Sequence, residues 1–337
     1  MTKKVFHIFP DNDVGGVQAC ARSLIGQTSS AYQLDIIFIQ TESQVSVLNF
    51  LQRCFHLGLR IARDKPDLVV CSLWKGALVG ITAKILWPGC KIVNFYHSSK
   101  NVHFFDFLVN RCCEAISVEV WVDSAASCAA RVNSFYYNKA HIINPILRSN
   151  KKVIRQAPTL SFVYWGRLHP DKGLRESLIF ISFLVENGFE PNFLIIGPES
   201  EYKTQLDILI FELGLQDLVL FSGELSLEEI GVLTCGVSFF IQLSKYEGMA
   251  MSVVEAMNLG LICLVTDVGE IKNFGVDGSN LLLFKSCDQA KDEILSLLSD
   301  PLTYENISIA ARETFANVPS FVDSYNANLT RLLTRLS

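Results

Sequence analysis

Apolar residues in this chain gather in short runs bounded by Gly, Pro, Asn or Asp, and between the runs apolar positions recur at helical spacing. Residues 5–9 form the first run, which ends at Pro10. A polar, glycine-bearing loop covers 11–16, and 17–25 reads as a helix. Strands are expected at 34–39, 68–71 and 92–96, and helices at 45–62 and 77–86. Residues 115–122 alternate and predict one or two strands, whereas 102–113 read slightly better as a core helix than as an interfacial one. Ser124 is the expected cap of a helix over 124–132, and a short strand at 141–143 is stopped by Asn144 and Pro145.

The polar segment 148–158 reads as a linker, with 151–155 at its heart. Beyond it, strands at 160–165, 192–196, 219–221, 237–242, 262–266 and 281–284 alternate with helices at 177–187, 202–213, 227–234, 251–259 and 290–298. Such alternation predicts an α/β protein built on parallel sheets with helices on both faces. Two domains follow, 1–150 and 156–318, with an amphipathic helix at about 319–337. A chain of 337 residues suits two domains, and half its residues are hydrophobic, enough for two cores.

Charge changes this picture. Residues 1–150 hold fifteen Lys/Arg against ten Asp/Glu, a balance of +5, while 151–337 stand at −10. A basic half beside an acidic one points the first half at something anionic. Without a basic run interleaved with aromatics, nucleic acid is not the expected partner; an anionic lipid surface or a phosphorylated acceptor is. No apolar run reaches membrane-spanning length, and the apolar stretch after Lys3 and Lys4 is too short for a signal peptide. Ten Cys without a pairing rhythm indicate neither a zinc site nor a disulfide framework, so a reducing cytoplasm is expected.

Candidate chemistry lies mostly in the second half. Glu247 follows a predicted strand, and Glu255 lies eight residues on, in an apolar predicted helix. Acids framing a hydrophobic helix start suggest groups aimed at a ligand, because ionised carboxylates accept the hydroxyl donors that sugars present. Upstream, Gly166-Arg167-Leu168-His169-Pro170-Asp171-Lys172-Gly173 places two cations after a strand end, where open α/β sheets bind ligands. Together the segments resemble the E-x7-E and G-R-L-x-x-x-K-G signatures of retaining glycosyltransferases of family 4 (glycosyl transferases group 1).

The resemblance implies the GT-B fold, two facing Rossmann-like domains with a cleft between them. It implies an N-terminal acceptor-binding domain, a C-terminal nucleotide-sugar-binding domain and a chain-terminal helix returning to the first. The implied reaction moves a sugar from a nucleotide diphosphate sugar to an acceptor hydroxyl with retention and without metal or cofactor. Arg167 and Lys172 would stabilise the leaving diphosphate, Glu247 would orient the sugar, Glu255 would hold the ribose, and His97 would assist. Met249 and Ala250 would offer backbone N–H groups to phosphate or sugar oxygens, and Gly223 and Glu224 would lie near the nucleobase. Gly15 and Gly16 resemble the family's N-terminal glycine loop. Asp11-Asn12-Asp13 imitates a metal-binding D-x-D but stands just before a glycine turn, so a polar loop is expected there.

The expected partners are the nucleotide-sugar donor and a glycan or lipid-linked glycan acceptor of cell-envelope polysaccharide synthesis (lipopolysaccharide, O-antigen or capsule). Peripheral contact with the inner face of the cytoplasmic membrane is expected as well. Two alternatives stand beside this: a nucleotide-sugar epimerase of GT-B-like fold, and a catalytically inactive glycosyltransferase-like binding subunit.

Overall fold

The strands are near-continuous apolar runs, as sheets covered on both faces require. A computed structural model describes residues 2–12, 15–27, 29–40, 46–98, 100–101, 103–147 and 157–337. It resolves into two units, Met1–Pro145 with Pro319–Ser337, and Ile146–Val318. The linker expected at 151–155, with Asp13 and Val14 of the first loop, lies outside the described residues.

The first unit runs β1 (Lys3–Asp11), α1 (Gly16–Leu24), β2 (Tyr32–Gln40), α2 (Val47–Asp64), β3 (Leu68–Ser72), α3 (Leu73–Leu86), β4 (Ile92–Tyr96), α4 (Phe104–Ile116), β5 (Glu119–Val122), α5 (Ala125–Arg131) and β6 (Ala140–Ile142). Its strands form one sheet in the order β2-β1-β3-β4-β5-β6, each pairing parallel. β1 continues through Pro10, contrary to the stop expected there. Beyond Ile8 it pairs only with β2, so a residue without an N–H costs little. Ser46 caps α2 by accepting from the Asn49 N–H, and Ser124 caps α5 by accepting from the Ser127 N–H.

Two expectations fail here. Residues 115–116 end α4 rather than starting a strand; β5 begins only at Glu119, after the Val118 N–H has bonded the Ile92 carbonyl. The segment read as a core helix is instead exposed along one face: Phe104, Phe105, Phe107 and Leu108 all face solvent. Asp106, Val109, Asn110, Cys113 and Glu114 fill its buried face.

The second unit runs β7 (Ser161–Trp165), α6 (Leu174–Glu186), β8 (Asn192–Ile196), α7 (Glu201–Glu212), β9 (Val219–Gly223), α8 (Leu227–Leu233), β10 (Phe239–Gln242), α9 (Met251–Asn258), β11 (Ile262–Val265), α10 (Ile271–Phe274), β12 (Leu282–Leu283), α11 (Cys287–Ser299) and α12 (Pro301–Thr314). Its parallel sheet is ordered β12-β11-β10-β7-β8-β9. Consecutive strands fan out from β7 in both directions, so β7 and β10 lie side by side at the switch point, where loops from adjacent strand ends diverge.

Helix α13 (Phe321–Leu336) follows the second unit in sequence but completes the first. Phe321, Tyr325, Leu329, Leu332 and Leu333 are its buried stripe, and the Lys91 ammonium donates to the Leu336 carbonyl. Arg331 and Arg335 reach the fully buried Glu119 carboxylate of β5 at 2.8–2.9 Å.

Candidate functional site

Trp165 ends β7 at the switch point, and the chain then turns through Gly166, Arg167 and a 3-10 turn over Pro170–Lys172. His169 caps that turn by accepting from the Asp171 N–H. Gly173 closes it with φ 70°, and a Cβ there would lie 1.9 Å from the Leu243 carbonyl oxygen. No side chain is compatible with that approach. The backbone is clamped again where the Lys245 N–H donates to the Asp171 carbonyl at 2.9 Å. The loop after β7 therefore lies directly on the loop after β10, and their side chains meet.

Lys172 Nζ donates to Glu247 Oε1 at 2.7 Å. The same oxygen accepts from Gln242 Nε2 and Ser244 Oγ, each at 2.7 Å. Gln242 is fixed in turn by Ser252 Oγ, which donates to its Oε1 at 2.7 Å from the first turn of α9. Glu247 is thus a largely buried carboxylate with an oriented cation on it. The Arg167 side chain is exposed and bonds no other described group, but its charge is felt nearby. Burial and the Glu247 carboxylate push the Tyr164 hydroxyl pKa up, while the Arg167 guanidinium opposes them. Both charges act on one hydroxyl, and that hydroxyl donates to the Arg167 carbonyl at 2.8 Å.

Glu255 stands on α9 and accepts from the Trp165 indole N–H at 2.8 Å. Burial raises its pKa to about 7, against the lowering effect of that hydrogen bond. It is poised between acid and carboxylate at neutral pH.

Ala250, the residue before α9, holds a left-handed conformation with φ 55° although it carries a Cβ. The N–H groups of residues 249–252 bond no other described group, as expected where a helix begins without a side-chain cap. Met249 and Ala250 belong to this row as expected from sequence; Met251 and Ser252 extend it.

Not every candidate joins this cluster. Gly223 and Glu224 lie at the end of edge strand β9, two strands from β7, where the Gly223 carbonyl accepts from the Gly197 N–H. Gly15, Gly16 and His97 belong to the first unit. Gly15 is the N-cap of α1 in extended backbone, and Gly16 is that helix's first residue. His97 follows β4 and accepts or donates at Nε2 to Ser72 Oγ at 2.8 Å. Burial depresses its pKa to about 3, so the ring is neutral. Asp11 accepts from Gln18 Nε2, and the described residues contain no cluster of metal-binding side chains.

Gln242, Ser244, Ser252 and Trp165 were not foreseen. A polar residue closing an apolar strand, as Gln242 does, is the one signal that marks any of them.

Residues 148–314 match the model of the family described as glycosyl transferases group 1. The chain carries a group 1 glycosyltransferase domain. This domain contains the whole cluster from Trp165 to Glu255. Among curated relatives, the GDP-mannose:cellobiosyl-diphosphopolyprenol alpha-mannosyltransferase of Xanthomonas oryzae pv. oryzae is 34% identical over 112 residues, 33% of this chain and 30% of that one. Its Xanthomonas campestris counterpart is 27% identical over 184 residues, 52% of this chain and 48% of that one. The chain thus spans a third to a half of the curated relatives it matches first. The structure of Anabaena Alr3699/HepE in complex with UDP and glucose superposes with a TM-score of 0.76 at 16% identity, covering 99% of this chain and all of that one. Sucrose-phosphate synthase from Thermosynechococcus elongatus gives 0.79, also at 16% identity and with the same coverage. The fold is GT-B, two Rossmann-like units each on a six-stranded parallel sheet.

Proposed function

We propose that this protein is a retaining, metal-independent glycosyltransferase that moves a sugar from a nucleoside diphosphate sugar to an acceptor hydroxyl. The observation that carries this is the 2.7 Å Lys172–Glu247 pair at the switch point of the second sheet. It stands beside the exposed Arg167 and precedes the row of unbonded amides that opens α9. As the glycosidic bond breaks, its electron pair leaves on the diphosphate oxygen. Lys172 and Arg167 stabilise the charge that grows there, and helix-start amides favour the same anion. Glu247, oriented by Gln242 and Ser244, accepts hydrogen bonds from the sugar hydroxyls. Glu255 accepts from the ribose hydroxyls. Gly223 and Glu224 border the nucleobase. His97, Gly15 and Gly16 supply hydrogen-bonding groups from the first unit. The acceptor oxygen attacks from the face the diphosphate leaves, and its proton passes to the departing diphosphate, so configuration is retained.

Turnover of a panel of nucleotide sugars, followed as nucleoside diphosphate release with a lipid-linked glycan acceptor, tests this. Lys172→Ala and Glu247→Gln should each lower kcat by about 10²–10³-fold. Sugar interconversion without release would instead favour an epimerase, and donor binding without either reaction an inactive subunit.

The acceptor is assigned to the lipid-linked glycans of envelope polysaccharide synthesis. The name of the Xanthomonas relatives, a cellobiosyl-diphosphopolyprenol acceptor, supports this class. So does the first unit's surface. Phe104 is 78% exposed on α4, and Val47 and Leu48 are 76% and 66% exposed on α2. Trp74 packs edge-on against Phe50 of α2 and Phe105 of α4, joining the two apolar faces. Between residues 46 and 116 only four acids occur. Asp106 and Glu114 are buried, and Asp64 and Asp67 pair with neighbouring cations. Arg53 of α2 and Lys75 of α3 are cations with no acidic partner among the described residues. A broad apolar face with a basic border matches an anionic bilayer surface.

Sedimentation with vesicles containing anionic phospholipid checks this occupant. Wild type should co-sediment, and Phe104→Glu with Leu108→Glu should reduce the bound fraction at least about tenfold. Self-association through this face without vesicle binding would assign it to a second copy instead.

A further inference from the structure

Four polar side chains cross the buried interior of the first unit in a single file. The Tyr325 hydroxyl of α13 lies 3.0 Å from His7 Nδ1 on β1. His7 Nε2 lies 2.8 Å from Ser72 Oγ at the end of β3. That oxygen lies 2.8 Å from His97 Nε2, just past the end of β4. His7, Ser72 and Tyr325 are fully buried or nearly so, and no other side-chain bond of theirs occurs among the described residues. The Tyr325 and His7 rings stack with an interplanar angle of 4°, and Trp121 packs edge-on against Tyr325, so the file is rigidly held.

The direction of such a file is decided by its ends. Both imidazoles are neutral: burial lowers the pKa of His7 well below its ordinary value, His97 adding to this, and burial does the same to His97. Each ring then has one N–H and one lone pair. If His97 donated to Ser72, Ser72 would donate to His7 Nε2, and His7 Nδ1–H would donate to Tyr325. The Tyr325 O–H would then be a buried donor without an acceptor, which is costly. In the opposite sense the one proton left over lies at the partly exposed end of the file rather than at its buried end. Tyr325 donates to His7 Nδ1, His7 Nε2–H donates to Ser72, and Ser72 donates to His97 Nε2. The His97 proton is left on Nδ1, which bonds no described group.

We infer that Tyr325, His7 and Ser72 form a one-directional hydrogen-bond chain that fixes His97 as its Nδ1–H tautomer. Tyr325, on a helix that follows the whole second unit in sequence, is thereby a positioning residue for a side chain at the end of β4. For the transferase reading, on which this consequence rests, His97 offers an N–H to an oxygen of the substrate. It does not serve as a base, because its free nitrogen carries the proton and its other lone pair is already taken by Ser72. A donor there suits a phosphate oxygen or a sugar oxygen that gains charge in the transition state.

Histidine-selective ¹⁵N labelling of the full chain tests this through long-range proton–nitrogen correlation, which separates the two tautomers of each of its six histidines. His7→Gln and His97→Gln spectra assign the two signals. The wild-type signature is His7 as Nε2–H together with His97 as Nδ1–H, each dominant by about tenfold or more, as an unpaired buried hydroxyl in the reverse arrangement implies. Any other pairing overturns the inference, without recourse to a variant. In Tyr325→Phe both directions leave the buried His7 Nδ1 unpaired, as a donor in one and as an acceptor in the other, so the two His97 tautomers should come within about threefold of each other. His97 remaining wholly Nδ1–H in that variant would show that Tyr325 does not set the direction.

Turnover separates this inference from the function it serves. A wild-type signature in a protein that turns over no nucleotide sugar leaves the relay standing and removes the transferase. Normal turnover with the wrong tautomers does the reverse. Where both hold, Tyr325→Phe should lower kcat several-fold while donor KM changes little, because a donor aimed at developing charge acts mainly in the transition state.

Discussion

Glu255 shows how far one side chain's surroundings change its chemistry. In an unfolded chain it ionises near 4.5; here burial beside Trp165 raises that to about 7. A raised carboxyl pKa means that the folded protein keeps a proton which the unfolded chain has released, so folding stability from this group falls as pH rises from about 4.5 to 7 and is level above that. Glu255→Gln should therefore unfold like wild type at pH 5 and be more stable by roughly 1–3 kcal/mol at pH 8, in urea titrations at both values. If the variant is no more stable at pH 8, the carboxyl is not desolvated as described. Single residues were also where sequence reading worked unevenly. Glu247, Glu255, Arg167 and Lys172 stand at fixed spacings inside recognisable segments. Gln242 and Ser244 come from the end of β10, Ser252 from α9 and Trp165 from β7, and it is the side-by-side placing of β7 and β10 that brings Trp165 to Glu255 and Lys172 to Glu247. No spacing along the chain encodes that.

Among elements, α13 is the most legible and the most consequential. Its apolar stripe at helical spacing predicts a helix over about 319–337, and the helix runs over Phe321–Leu336. Its polar edge was not legible, because Glu119 lies about two hundred residues away in sequence. That carboxylate is fully buried, and burial alone would raise its pKa. Bonds from Arg331 and Trp121, with the nearby His141, hold it below the ordinary range instead. Replacing Arg331 and Arg335 together with Ala should strand the charge and cost the first unit about 2–4 kcal/mol, read from denaturant unfolding. Adding Glu119→Gln should recover much of the loss; no recovery would mean the arginines act by packing. By contrast, α12 escaped prediction although Asp300 followed by Pro301, a capping acid and a proline at the first helical position, marks its start. For α4 periodicity located the helix but not its partner: an apolar face toward solvent and one toward a core have the same spacing.

On the scale of the whole molecule, the alternation of strand and helix was enough to predict α/β architecture, since short apolar runs separated by helices leave few arrangements other than parallel sheets. Strand order was not readable, because a crossover may go to either side of a strand already placed without changing the pattern. Yet that order is what puts β7 beside β10, and with them Lys172 against Glu247. The division into units has a further consequence during synthesis. Residues 319–337 belong to the first unit but are translated after all of the second. While the ribosome is making residues 146–318, the groove that will receive Phe321 and Tyr325 is open, with Trp121 and His7 on it and Glu119 still waiting for its arginines. The second unit has every strand it needs as soon as it emerges, so it can mature first, and the earlier-made half of the protein is finished last.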